Sequence, residues 1–264
     1  MNNSDILYVK EGPIAKITLN RPNKMNSYTV EMNDIFKRSV MNASKDKNIR
    51  VIIITGTGRA FCSGADVKTL SERFDQPDTD DMLRHVLRSR TSVVSLLRKC
   101  NKPVIAAVNG LAVGGGFDLA LACDIRIASD RARFSEVYVR RGLVPTSGGT
   151  YLLPRLIGID KALMMLWTGN MVDAKEAERL GLVTMVVPYE ELETTVFELA
   201  EKLAKGPPLV IQWDKRAVYD GLQMDLDETM EYTKAITKIL MYTKDHREGA
   251  KAFVEKREPV FKGE

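Results

Sequence analysis

Three consecutive glycines, Gly114, Gly115 and Gly116, stand ahead of Phe117-Asp118-Leu119-Ala120-Leu121-Ala122, a stretch with the composition of a helix. Glycine lets a backbone pass close to a ligand. The first amides of a helix have no acceptor within it and lie at the positive end of its dipole, so they can stabilise an anionic oxygen. Asp118 comes three residues after Gly115, one helical turn on and on roughly the same side. Backbone donors with a carboxylate beside them can hold an oxyanion and move a proton. The same triplet also suits close packing of a strand on a helix, and both readings stand at this point. It forms neither the G-x-G-x-x-G dinucleotide fingerprint nor, with no Gly-Lys-Ser/Thr following, a P-loop.

Other chemistries have little material. The two histidines, His85 and His246, are too few for a His-based metal site and poor candidates for a Ser-His-Asp triad. The three cysteines, Cys62, Cys100 and Cys123, show no metal spacing and are expected to be reduced packing residues in a cytoplasmic protein. The net charge of +4, from 39 basic and 35 acidic side chains, is too small an excess to argue for nucleic acid. Arg126, Arg131, Arg133, Arg140 and Arg141 are read as a solvated basic surface, or as one that attracts a phosphorylated ligand. No apolar run approaches a membrane span.

The elements that must position these residues are legible in outline. Lys102–Asp124 opens with Val104–Val108, a buried strand ended by Asn109-Gly110. Upstream, Ile6–Val9 and Ile14–Leu19 read as a hairpin, Tyr28–Ser44 as a helix, and Val51–Thr55 as a buried strand. A turn of small residues follows at Phe61-Cys62-Ser63-Gly64-Ala65-Asp66, then a helix from Thr79 to Lys99. Ile125–Ala128 is a further strand. Phe134–Gly149, with Gly142, Pro145, Gly148 and Gly149, is expected to be an ordered loop lining something. Lys161–Trp167 reads as a helix, Asp173 as the N-cap of a short helix ended by Gly181, and Leu182–Val187 as a strand. From Glu190 the pattern is helical, with breaks at Gly206-Pro207-Pro208 and near Gly221. This predicts a mixed α/β core over 1–200 and a helical region over 201–264.

The two glycine turns, together with Gly142-Leu143-Val144-Pro145, give the chain a resemblance to the crotonase (enoyl-CoA hydratase/isomerase) superfamily. Asn20-Arg21-Pro22, Lys24-x-Asn26, Lys102 to Ala107, Cys123-Asp124, Tyr151 to Arg155, Ala177 to Val183 and Ala252 to Pro259 extend it over nearly the whole length. The resemblance implies a spiral of β-β-α units, with C-terminal helices that pack on a neighbouring subunit in a homotrimer or a hexamer of paired trimers. It implies an acyl-CoA thioester as the ligand, with coenzyme A as part of the substrate and no separate cofactor or metal. The oxyanion hole maps to the amides of Ala65 and Gly115, with Gly64 and Gly114 flanking them. Lys24, Asn26, Asp66, Val67 and Lys68 map along the coenzyme A tail, and Phe253 and Lys256 near its nucleotide end.

Hydratases of this family use two glutamates. This chain has Asp118 at the first position and Tyr138 at the second. A third acidic position, used by some isomerases, is Thr146. Tyrosine, with a reference pKa of about 10, cannot stand in for a carboxylate at neutral pH. Glu136 is read as a surface residue, or as a second carboxylate. The resemblance therefore implies an enzyme leaning to double-bond or ring isomerisation, with Asp118 moving the proton. Enoyl-CoA hydration, hydrolysis or decarboxylation through the same hole, and thioester binding without catalysis are the alternatives.

Overall fold

The computed structural model describes residues 4–66 and 92–264. Ile6–Glu11 (β1) and Ile14–Leu19 (β2) form the expected antiparallel hairpin. Val30–Lys45 (α1) follows, its N-cap Thr29 accepting from the Met32 amide. β2 then pairs in parallel with Val51–Gly56 (β3), β3 with Val104–Val108 (β5), β5 with Ile125–Ser129 (β7), and β7 with Met185–Val187 (β10). A second sheet holds Ala60–Cys62 (β4), Leu111–Val113 (β6), Arg133–Ser135 (β8) and Val172–Asp173 (β9), in that order. Each of β3, β5 and β7 runs on through a tight turn into β4, β6 and β8, so the chain steps from one sheet to the other and returns. This is the expected spiral of β-β-α units. The helix predicted from Thr79 lies largely outside the described residues, which include its end, Val93–Lys99 (α2).

Strand alternation builds two cores from one set of residues. Ile52, Ile54, Val104, Ala106 and Val108 point to one side, where Met32, Phe36, Val40 and Ala43 of α1 pack together with Gly115–Ala122 (α3). Val51, Ile53, Ile105 and Ala107 point to the other side, covered by Leu192, Val196, Ala200 and Ala204. Strands buried on both faces are why these runs are continuously apolar.

Three more helices lie between the sheets' last strands: Gly149–Ile157 (α4), Ile159–Thr168 (α5) and Ala174–Leu180 (α6). α4 had no clear signal in the sequence, because Pro154 lies inside it and Gly158 ends it. Leu192–Lys205 (α7) crosses residue 200 and ends at the expected break, Gly206. Beyond it come Pro208–Gly221 (α8), Leu226–Leu240 (α9) and Lys244–Glu255 (α10), with no strand among them. α8 is tied to the core by Asp124. Its carboxylate accepts from Lys215 Nζ at 2.7 Å, from Tyr219 Oη at 2.6 Å and from the Val104 amide at 2.7 Å. Among the described residues no helix is long and apolar enough to cross a membrane.

Candidate active site

β4 and α3 approach so closely that a Cβ on Gly116 would lie 2.1 Å from the Cys62 carbonyl oxygen. That contact carries the Ser63-Gly64-Ala65-Asp66 turn to the start of α3. Gly64 has φ 87°, and a Cβ there would meet Val113 O at 3.0 Å and Gly115 N at 3.3 Å. The two distant glycine turns are therefore neighbours. Tyr28 clamps the first of them. Its amide donates to Gly64 O at 2.9 Å, and its carbonyl accepts from the Asp66 amide at 3.1 Å. The intervening Ala65 amide, like that of Gly115 in the first turn of α3, donates to no partner among the described residues.

One turn into α3, Asp118 is fully buried. Tyr138, in a 3-10 turn over Val137–Arg141, donates its hydroxyl to Asp118 Oδ2 at 2.7 Å. Burial raises the Asp118 carboxyl to about 6, while the Tyr138 hydroxyl, the Gly149 amide and Glu136 pull it down. A carboxyl raised in this way is, when ionised, a stronger base than a solvated aspartate. Burial and the Asp118 charge push Tyr138 far upward, so it is a neutral donor. Tyr28, also pushed up by burial, places its hydroxyl where a Cβ on Gly115 would be, 2.1 Å away.

Glu136 is not on the surface. It is fully buried next to Asp118. A Cβ on Gly149 would lie 2.5 Å from Glu136 Oε1 and 2.6 Å from Asp118 Oδ1, so the two carboxyls face one point over the start of α4. Burial and the Asp118 charge push Glu136 up to about 9. A cavity of about 480 Å³, lined in part by Arg98, Lys99, Ser147, Gly148 and Tyr219, meets the start of α4 next to Gly149 and includes none of Asp118, Glu136 and Tyr138. A second cavity of about 480 Å³ lies across the main sheet, lined in part by Lys16, Ile53 and Phe197 of β2, β3 and α7. Among the described residues no group of His, Cys, Asp or Glu could hold a metal ion.

The sequence profile of enoyl-CoA hydratase/isomerase matches residues 9–264. The chain belongs to that family. It is 40% identical over 255 residues to (E)-benzylidenesuccinyl-CoA hydratase of Thauera aromatica, covering 95% of this chain and 96% of the relative. To the short-chain-enoyl-CoA hydratase of Clostridium acetobutylicum it is 36% identical, covering 97% of each. The crystal structure of an enoyl-CoA hydratase from Bacillus anthracis superposes with a TM-score of 0.89 at 37% identity, covering 98% of this chain and all of that one. The fold is that of the crotonase superfamily, and the protein is an enzyme of the enoyl-CoA hydratase/isomerase type.

The residues expected around the ligand fare differently. Gly64, Ala65, Gly114, Gly115, Asp118 and Tyr138 come together as described. Lys24 is exposed in a 3-10 turn near them, and Asp66 pairs with Arg21 at 3.1 Å. Asn26 is a correction. It is fully buried, its side chain accepting from the Arg21 amide and donating to the Thr57 and Ala60 carbonyls, so it shapes the loop from within. Phe253 and the Lys256 C-cap stand on α10 and share no hydrogen bond or ion pair with the Asp118 cluster. Val67 and Lys68 lie outside the described residues. Arg126 also departs from expectation. It is buried, bonded to the Leu182 and Cys123 carbonyls, and forms no surface patch. Tyr28 and Gly149 were not singled out as site residues from sequence, and of the two readings of Glu136 the buried carboxylate is the one the structure favours. The one available signal was a charged Glu136 within the short apolar run Phe134–Val139.

Proposed function

We propose that this enzyme isomerises an unsaturated acyl-CoA thioester, with Asp118 as the single base. The carrying observation is the buried Asp118, held by the Tyr138 hydroxyl at 2.7 Å and one turn from Gly115, whose amide, like that of Ala65, donates to no partner among the described residues. Asp118 takes a proton from a carbon activated by the thioester carbonyl, and the electron pair moves onto the carbonyl oxygen. The Ala65 and Gly115 amides stabilise that oxyanion more than they stabilise the ground-state carbonyl. Asp118 then returns the proton to another carbon of the conjugated system, the carbonyl reforms, and no atom is gained or lost. Lys24, Asp66, Val67 and Lys68 would lie along the coenzyme A tail. Phe253 and Lys256 would reach its nucleotide end from a neighbouring subunit. The exposed Leu226, Ile239, Tyr242 and Val254 of the helical region favour a homotrimer or a pair of trimers.

Hydration is the second reading, favoured by the names of the relatives from Thauera aromatica and Clostridium acetobutylicum, both hydratases. It needs Asp118 to deprotonate a water with only a neutral tyrosine opposite. The two are separated by incubating the enzyme with enoyl-, dienoyl- and cyclic unsaturated CoA thioesters and reading the products by mass. Isomerisation leaves the mass unchanged, whereas hydration adds one water. Efficient conversion of crotonyl-CoA to its hydrated product, without turnover of a shifted double bond, would overturn the isomerase reading.

A further inference from the structure

The mechanism above leaves Glu136 unused, yet it is a fully buried carboxyl against the base. Among the described residues the buried side-chain polar atoms without a hydrogen-bond partner are Tyr8 Oη, Asp118 Oδ1 and both oxygens of Glu136. Three of those four atoms belong to this one pair. Two ionised carboxylates are acceptors only, so nothing would bond them to each other. A single proton between them gives one orphaned oxygen on each side a partner, as O–H···O⁻. Asp118 already has a donor for its charge in the Tyr138 hydroxyl, whereas Glu136 has none, so the proton belongs on Glu136.

We propose that Glu136 is a positioning residue, a neutral carboxylic acid that donates to Asp118 Oδ1 and fixes Asp118 as the single base of the site. The proposal rests on the reading of Asp118 as the base. Asp118 then receives one donor on each oxygen, Tyr138 on Oδ2 and Glu136 on Oδ1, which sets the plane of its carboxylate. The upward push on Glu136 from burial and from the Asp118 charge agrees with this protonation. The titratable groups around the pair are Tyr138 from its own turn and Tyr28 from the segment before α1, both neutral. Among the described residues no basic side chain pairs with either carboxyl, and Gly149 is the residue of α4 that lies against them.

The test compares the kcat and KM pH profiles of the wild type, E136Q and E136L on the best thioester substrate, with infrared spectra of the same proteins. The wild-type kcat should fall as the pH rises through about 9, where Glu136 ionises and its donor is lost. E136Q keeps a neutral donor, so it should lack that fall and retain more of the neutral-pH kcat than E136L. E136L should lose about 10- to 100-fold in kcat with KM nearly unchanged, the worth of one hydrogen bond to a charged group. The carbonyl band of a protonated carboxylic acid should appear in the wild type at neutral pH and vanish in E136Q. An E136Q profile that keeps the alkaline fall, an E136L enzyme of wild-type kcat, or no protonated-carboxyl band would each overturn the proposal. D118N separates the two readings. Full activity in D118N sinks the base assignment, whereas a dead D118N beside an unaffected E136L sinks only the role of Glu136.

Discussion

A proton held on Glu136 must also show in stability, independently of any substrate. In the unfolded chain its carboxyl titrates near the ordinary 4.5; in the folded protein burial, and then the charge of Asp118, raise it to about 9. Between these values the native state binds a proton that the unfolded state has released. Stability is therefore greatest below the unfolded value and is lost as the pH rises toward the folded one. The slope is about 1.4 kcal/mol per pH unit. Asp118, raised to about 6, behaves in the same way at lower pH, so the clean window lies above it, from about pH 6.5 to about pH 8.5. Across that window the wild type should lose stability relative to E136Q, on the order of 2–3 kcal/mol, because the other titrating groups are retained and cancel. The assay is urea denaturation of both proteins at one protein concentration and several pH values, compared at equal m. Parallel stability curves would refute the reasoning, because they would mean that Glu136 releases its proton on folding as readily as in water.

D118N should lose about 10²-fold or more in kcat while thioester binding, read by calorimetry, stays nearly intact. Tyr138→Phe should cost less, and it should move the acid limb of the rate profile upward, because the hydroxyl that pulls the Asp118 carboxyl down is gone. Gly149→Ala would push a methyl group to 2.5 Å from Glu136 Oε1 and 2.6 Å from Asp118 Oδ1. It should cost about 1–3 kcal/mol in unfolding free energy and much of the activity. Light scattering at micromolar concentration should give a trimer or a multiple of it; a monomer would count against association through the helices after Gly206.

How much of this was legible in the sequence depended on whether the signal was local. β3 and β5 are continuous apolar runs bounded by glycine turns, and α6 carries its own N-cap at Asp173 and its stop at Gly181, so these elements declare themselves. β6 and β8 span three residues each and are defined by partners far along the chain, which leaves no periodicity to read. Asp118 was visible because the glycine triplet fixes the helix start and therefore its own turn. Arg126 and Asn26 were misplaced because a buried polar side chain reads like an exposed one until its carbonyl partners are known.

Glu136 is the sharpest case of that failure. Its neighbours in sequence describe a short strand passing into a turn, where a glutamate normally faces solvent. What buries it is the return of α4, whose first residue is a glycine and so leaves room for two carboxyls. The environment of the base is thus assembled from α3, from the 3-10 turn and from α4, and only Asp118 carries a local signal. A substitution survey guided by the Gly114-Gly115-Gly116 pattern would find the proposed oxyanion donor Gly115 and Asp118. It would pass over the residue that determines how many protons the site holds. If Glu136 keeps its proton, the enzyme has one base and one fixed neutral acid, the arrangement suited to returning the proton it removed. If Glu136 were ionised, two like charges would share one buried site, which burial disfavours.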